Sequence, residues 1–294
     1  MSPAMAKTAE SFVQGISDLP SLSTVTAELL RILEREDVSM RQILQLIARD
    51  PILSAKVVRL ANSTFYGGLS NVSLDQSLMR IGFKEVRNVA LTSAVIEAFP
   101  GMSSSFDLRA FWGHCIASGM SCYIVAQKAP ALRGKDNAQM ASGFYMCGLL
   151  HHLGILIHAM HAPEAWQQSF DLVQAEGIPL YEAEQRILGF DHAESGAALL
   201  QRWNFAPNVV SSVRDHHHPE RAPEEHRSTV RILHVAATVC HSLQGEKASF
   251  EGHLQSFDEA AFFGLGFAID DLAMLEAELS KAVKSAERLA EELF

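Results

Sequence analysis

Two hundred and ninety-four residues make one large domain or two modest ones, and a chain of that length buries a core without disulfide or metal staples. With 24 basic and 34 acidic side chains the net charge is −10, which argues against general nucleic-acid binding, because that needs a basic face to release counterions. Charged residues at 20% and hydrophobic residues at 48% exclude intrinsic disorder for the bulk of the chain.

The pattern is helical nearly throughout. After Asp18-Leu19-Pro20, the apolar residues Leu22, Val25, Leu29, Ile32 and Leu33 mark one face of a 3.6-residue period. Ser39-Met40-Arg41-Gln42 has the form of a capping box and leads into Ile43, Leu44, Leu46 and Ile47. Asp50-Pro51 supplies an N-cap and a first-turn proline for a helix through Leu60 and Ala61. Ser73-Leu74-Asp75-Gln76 reads as a second capping box, Gly82 stops that helix, and Phe83 to Phe99 forms the next. Pro100-Gly101 and Ser103 to Ser105 punctuate the chain, which places a subdomain boundary near residue 105.

Asp107 opens a helix through His114 and Val125, and Ala129 to Asn137 reads as a polar loop. The next helix is expected to run from about Ala138 through His151 to Met160. Pro163 and Pro179 sit at helix starts, Asp191 caps a helix to Asn204, Pro207 starts one reaching His216, and Ser228 to Leu243 is a further apolar helix. From about Asp271, Leu272, Leu275, Leu279, Ala282, Ala286, Leu289 and Leu293 follow a helical spacing. That face suits a terminal helix packed on its own domain; a homodimerisation seam is the alternative. Few segments alternate with period two, so almost no strand is expected. Cys115, Cys122, Cys147 and Cys240 show no CxxC pair and read as reduced thiols of a cytoplasmic protein. No apolar run reaches the ~20 residues of a membrane span, and Met1 to Glu10 has no apolar core of a signal peptide.

Several segments carry a resemblance, in the right order over about residues 18 to 220. They are Asp50 to Ser63 continuing into Phe65-Tyr66-Gly67, then Phe83-Lys84-Glu85-Val86-Arg87-Asn88, then Gly148-Leu149-Leu150-His151-His152-Leu153-Gly154, then Glu182-Ala183-Glu184, then Leu188-Gly189-Phe190-Asp191-His192-Ala193-Glu194-Ser195-Gly196. Together they resemble the HDOD family, the HD-related output domains. The resemblance implies an all-α, multi-helix fold, with an N-terminal helical subdomain (1–105) packed on a degenerate HD-like helical subdomain (106–245), followed by a C-terminal helical extension (246–294). It also implies a bacterial signalling context and no established activity.

Enzymes of the wider HD superfamily hold one or two metal ions with a histidine, a His-Asp pair and a distant aspartate. Carboxylates neutralise and bridge such ions, and the ions acidify the water that attacks phosphorus. By resemblance, His114 stands for the first histidine, His151-His152 for the His-Asp pair, His192 for a further histidine, and His216 or His217 for a later ligand. The distal aspartate should fall in Arg231 to Ala237, and alanine stands there. His152 and Ala237 therefore replace both expected carboxylates. Asp191, Glu194 or Asp215 could compensate only if the fold turned them inward.

The expectation is a non-catalytic regulatory module that binds a protein or small ligand; the alternative is a metal-dependent phosphohydrolase. No cofactor is expected, and if a structural or adventitious divalent ion binds, its ligands are His114, His151, His192 and His217. Pro219-Glu220-Arg221-Ala222-Pro223 contains no Gly-Tyr-Pro, which opposes a cyclic-dinucleotide phosphodiesterase of the HD-GYP type. Lys56, Arg59, Asn62 and Phe65 are the candidate partner or ligand surface. The expected partners are separate signalling proteins, such as a diguanylate cyclase or a histidine kinase, since the resemblance uses most of the chain; neither nucleic acid nor a membrane is expected.

Overall fold

The computed structural model describes residues 8–33, 38–61, 76, 83–99, 106–133, 137–245 and 257–293. Among them every regular element is helical, as the periodicity and the family resemblance imply. The first half holds α1 (Ala9–Gln14), α2 (Thr24–Leu33), α3 (Met40–Ile47), α4 (Pro51–Ala61) and α5 (Phe83–Ala98). Local chemistry places their starts. Ser39 and Gln42 form the expected reciprocal cap of α3. Asp50 Oδ1 accepts from the backbone N–H groups of Ile52 and Leu53, at 2.9 and 3.1 Å, to open α4. Leu29, Ile43, Ile47, Leu53, Val57, Val86 and Val95 are buried together. The expected cap at Ser73, the stop at Gly82 and the boundary near residue 105 lie outside the described residues.

The second half is built along α6 (Leu108–Lys128), opened by Asp107, whose Oδ1 accepts from Ala110 N at 2.9 Å. α7 (Asn137–Leu150) packs on α6, and α8 (Leu153–His161) follows after a turn. The continuous helix expected over Ala138–Met160 is therefore broken, at His151-His152. Next come α9 (Pro163–Glu176), α10 (Leu180–Leu188), α11 (His192–Arg202), α12 (Pro207–Asp215) and α13 (Arg227–Gln244). The chain closes with α14 (Glu259–Phe263) and α15 (Asp271–Leu293).

α15 lies along α6 and α13 and buries Leu275, Leu279, Ala282, Ala286 and Leu289 against them. The apolar face of the C-terminal helix is thus spent within its own fold. The apolar stretch Gly143–His161 is likewise interior, with 83% of it buried.

Candidate functional site

Two glycine crossings set the site. A Cβ on Gly148 would stand 2.5 Å from the backbone of Ser118 and Gly119, so only glycine lets α7 cross α6 at this separation. A Cβ on Gly154 would stand 1.9 Å from the carbonyl oxygen of His192, so α8 and the start of α11 also meet backbone to backbone. His151 and His152 fall between these contacts, in the turn joining α7 to α8. Within a helix, neighbouring residues point ~100° apart. At the turn their rings instead lie 3.6 Å apart, centre to centre, and both enter one buried space. His114 comes to it from α6, His192 from the first turn of α11, and His216 from the end of α12. All five rings are at most 2% exposed.

The hydrogen bonds decide which nitrogen of each ring carries the proton. His151 Nδ1 donates to Gly148 O at 2.7 Å, and His216 Nδ1 donates to Val213 O at 2.7 Å. His114 Nδ1 donates to Gln244 Oε1 at 2.6 Å, and His192 Nδ1 donates to Glu184 Oε2 at 2.6 Å. Each of these four rings therefore spends its N–H on an anchor and keeps its lone pair on Nε2. Anchoring of this kind is what orients histidines that hold metal ions. His114 Nε2 and His151 Nε2 lie 3.4 Å apart, and the Ser118 hydroxyl reaches His114 Nε2 at 3.1 Å. Two nitrogens bound to one tetrahedral zinc ion sit about 3.3–3.4 Å apart. His216 Nε2 is buried with no hydrogen-bond partner.

Two triads share His152. One ring nitrogen from each of His114, His151 and His152 lies within 4.8 Å of the others, and the same holds for His152, His192 and His216. Burial, followed by the neighbouring rings, holds His152 and His216 well below the usual histidine range, so both are neutral. His217 stands one ring further out, with its Nε2 2.9 Å from His192 Nε2. His234 braces the cluster from α13, donating from Nδ1 to His216 O at 2.8 Å.

The nearby carboxylates are committed elsewhere. Asp191 and Glu194 cap α11 reciprocally, at 2.9 and 3.0 Å. Asp215 is bidentate with Arg214, at 2.9 and 2.8 Å, and accepts from Ser211. Glu184 sits behind the cluster, accepting from His158 Nδ1 at 2.9 Å and from the ring and backbone of His192. Burial pushes the Glu184 carboxyl up, but the His192 and His158 rings outweigh it and draw it down to about 2. Ala237 is buried on α13, where the resemblance expects a carboxylate. The residues thus fit an ion that accepts neutral imidazoles, and do not fit a carboxylate-bridged pair of hard cations.

Lys56 is half-buried and Arg59 exposed on α4, which packs on α5 and contributes nothing to the cluster. Asn62 and Phe65 lie outside the described residues. Sequence reasoning set His152 at the position of the lost aspartate but left it out of the candidate ligand set, and it did not name Glu184 as part of the site. The glycines flanking His151-His152 were the available signal, since they mark where other backbones come close.

The family model described as HDOD domain matches residues 19–219. An uncharacterized protein of Treponema pallidum (strain Nichols) is 28% identical over 241 residues, which is 82% of this chain and 45% of that protein. The chain thus spans less than half the length of this relative. An HDOD domain protein of unknown function from Geobacter sulfurreducens superposes with a TM-score of 0.81 at 24% identity, covering 97% of each chain. A candidate phosphohydrolase from Shewanella amazonensis SB2B has a TM-score of 0.74 at 26% identity, over 98% of this chain and 99% of that one. A candidate signal transduction protein from Marinobacter aquaeolei VT8 has a TM-score of 0.77 at 22% identity, over 98% of this chain and 62% of that one.

Proposed function

The chain belongs to the HDOD family, and from that premise we propose that it is a non-catalytic signal-transduction module, acting by binding rather than by turning over a phosphoester. One observation carries this reading: among the described residues, the cluster is built from imidazoles, and each neighbouring carboxylate is engaged in a cap, an arginine pair or a histidine anchor. Binding needs shape and a few polar anchors. Hydrolysis by the HD-superfamily route needs an acidified water held between cations that carboxylates neutralise. The four cysteines are buried free thiols, which suits a reducing cytoplasm. Partners in this reading are signalling proteins, of which a diguanylate cyclase or a histidine kinase is the expected kind.

The second reading, a metal-dependent phosphohydrolase, is favoured by the name of the Shewanella relative at 26% identity. Untagged protein incubated with a generic phosphodiester and Mg²⁺ or Mn²⁺ separates the two. The expected result is no turnover above buffer. Turnover that disappears in His151→Ala would overturn the binding reading.

A further inference from the structure

The triad of His152, His192 and His216 differs from its neighbour in two ways. It has a carboxylate behind it, because Glu184 Oε2 accepts from the His192 ring at 2.6 Å. It also lies toward solvent, because the ring next to it, His217, is only half-buried. A divalent ion among imidazoles is stabilised best where a negative charge stands close, so this triad is favoured over His114 and His151. The unpartnered, buried Nε2 of His216 belongs to the same triad.

His217 covers one of the three ligands. His192 keeps its proton on Nδ1 for Glu184, so the hydrogen in the 2.9 Å contact between the two Nε2 atoms comes from His217. That N–H occupies the only lone pair His192 has. A cation and an N–H donor cannot share it. The His217 ring in turn stacks on Tyr181 at the start of α10, with centres 4.3 Å apart and planes 20° apart.

We propose that His152, His192 and His216 form a site for one divalent transition-metal ion of the zinc class, and that His217 is a displaceable plug on that site, seated on Tyr181. This rests on the binding reading above and gives it a switch. Ion uptake breaks the contact between His192 and His217 and releases His217 from its place on Tyr181, so occupancy changes the half-buried face around α10. Imidazole nitrogens select zinc, nickel, cobalt or copper over the oxygen-seeking magnesium and calcium. A neutral imidazole has one lone-pair nitrogen, so His152 serves one triad at a time and the expected stoichiometry is one.

The test uses untagged full-length chain, stripped with a chelator and titrated with Co²⁺ under visible absorption. One Co²⁺ per chain is expected, undisturbed by excess Mg²⁺. His192→Ala and His216→Ala should each weaken binding by more than the ~10–100-fold that loss of an outer-shell partner costs. His217→Ala should bind at least as tightly as the parent and take up the ion faster. The proposal fails if the parent chain takes up no stoichiometric Co²⁺, or if Mg²⁺ competes with it. Binding that survives both His192→Ala and His216→Ala sinks it as well. Weakening in His217→Ala equal to that in His216→Ala would make His217 a ligand and end its role as a plug. The parent titration needs no variant, and circular dichroism establishes that each variant is folded before its affinity is compared. Failure to bind Co²⁺ leaves the non-catalytic reading standing, whereas phosphodiester turnover by the Co²⁺-loaded chain would sink that reading and leave this site intact.

Discussion

Glu184 is fully buried and accepts three N–H groups, from the His158 ring, the His192 ring and the His192 backbone. His158 also accepts from the Ser195 hydroxyl at 2.8 Å, so the residues form one closed network between α8, α10 and α11. A glutamine in place of the acid keeps one acceptor oxygen and turns an NH₂ group toward a ring N–H. Each buried polar group left unmatched costs about 1–3 kcal/mol, and more where the group is charged, as the Glu184 carboxylate is. Glu184→Gln is therefore expected to lower stability by about 3 kcal/mol, read as a lower urea midpoint with an unchanged denaturant slope. A variant as stable as the parent would mean that the carboxylate is not needed as an anchor.

At the scale of elements, the close crossings and the C-terminal helix make separate predictions. Gly154→Ala places a methyl group against the His192 carbonyl, where backbone must move to admit it. Overpacking of this kind costs about 1–3 kcal/mol or more. Gly143, on α7, has nothing within 4 Å of its Cβ direction. Gly143→Ala should raise stability by about 0.5–1 kcal/mol, because it removes backbone entropy from the unfolded chain without a clash. Chemical denaturation of the two variants side by side should give opposite signs, and a shared sign would refute the crossing argument. On α15, Leu279 is fully buried in the contact with α6 and α13. Leu279→Ala should cost about 2–5 kcal/mol. Its sedimentation behaviour should match the parent's, since the residue faces the interior of its own chain.

At the scale of the molecule, the two halves are stitched through aromatic and polar contacts. Phe99, at the end of the first half, packs on Trp112 and Trp203, with ring centres 6.3 and 6.0 Å apart. Trp203 Nε1 donates to Pro20 O at 3.1 Å, and the Thr92 and Tyr145 hydroxyls meet at 2.8 Å. α1 crosses over to pack on α11. Core residues of both halves fall in one continuous cluster. Heat or urea should therefore unfold the described fold in one transition, with far-UV circular dichroism and tryptophan fluorescence superposing. Phe99→Ala should shift that transition by about 3–5 kcal/mol without splitting it. Two separated transitions in the parent would show that the halves are energetically independent.

The local chemistry is legible in the sequence alone. Caps at Ser39, Asp50, Asp107 and Asp191 and the proline start at Pro207 are all found as expected, because a cap is decided within four residues of chain. The family motifs are legible for the same reason, and so is the replacement of carboxylates at His152 and Ala237. What the sequence does not decide is which rings meet and which nitrogen each presents. His114 takes its anchor from Gln244, 130 positions away, and His192 presents Nε2 because Glu184 holds its Nδ1. His151 and His152 share one space because glycine-permitted crossings end a helix that periodicity alone carries on. The apolar face of α15 likewise reads the same for an internal partner as for a second copy, and its packing on α6 and α13 is what distinguishes them. Composition and spacing determine that this chain is helical and rich in histidine. Only the tertiary contacts determine that those histidines form a buried cluster backed by the Glu184 carboxylate, because backbone approach and hydrogen-bond direction are properties of segments far apart in the chain.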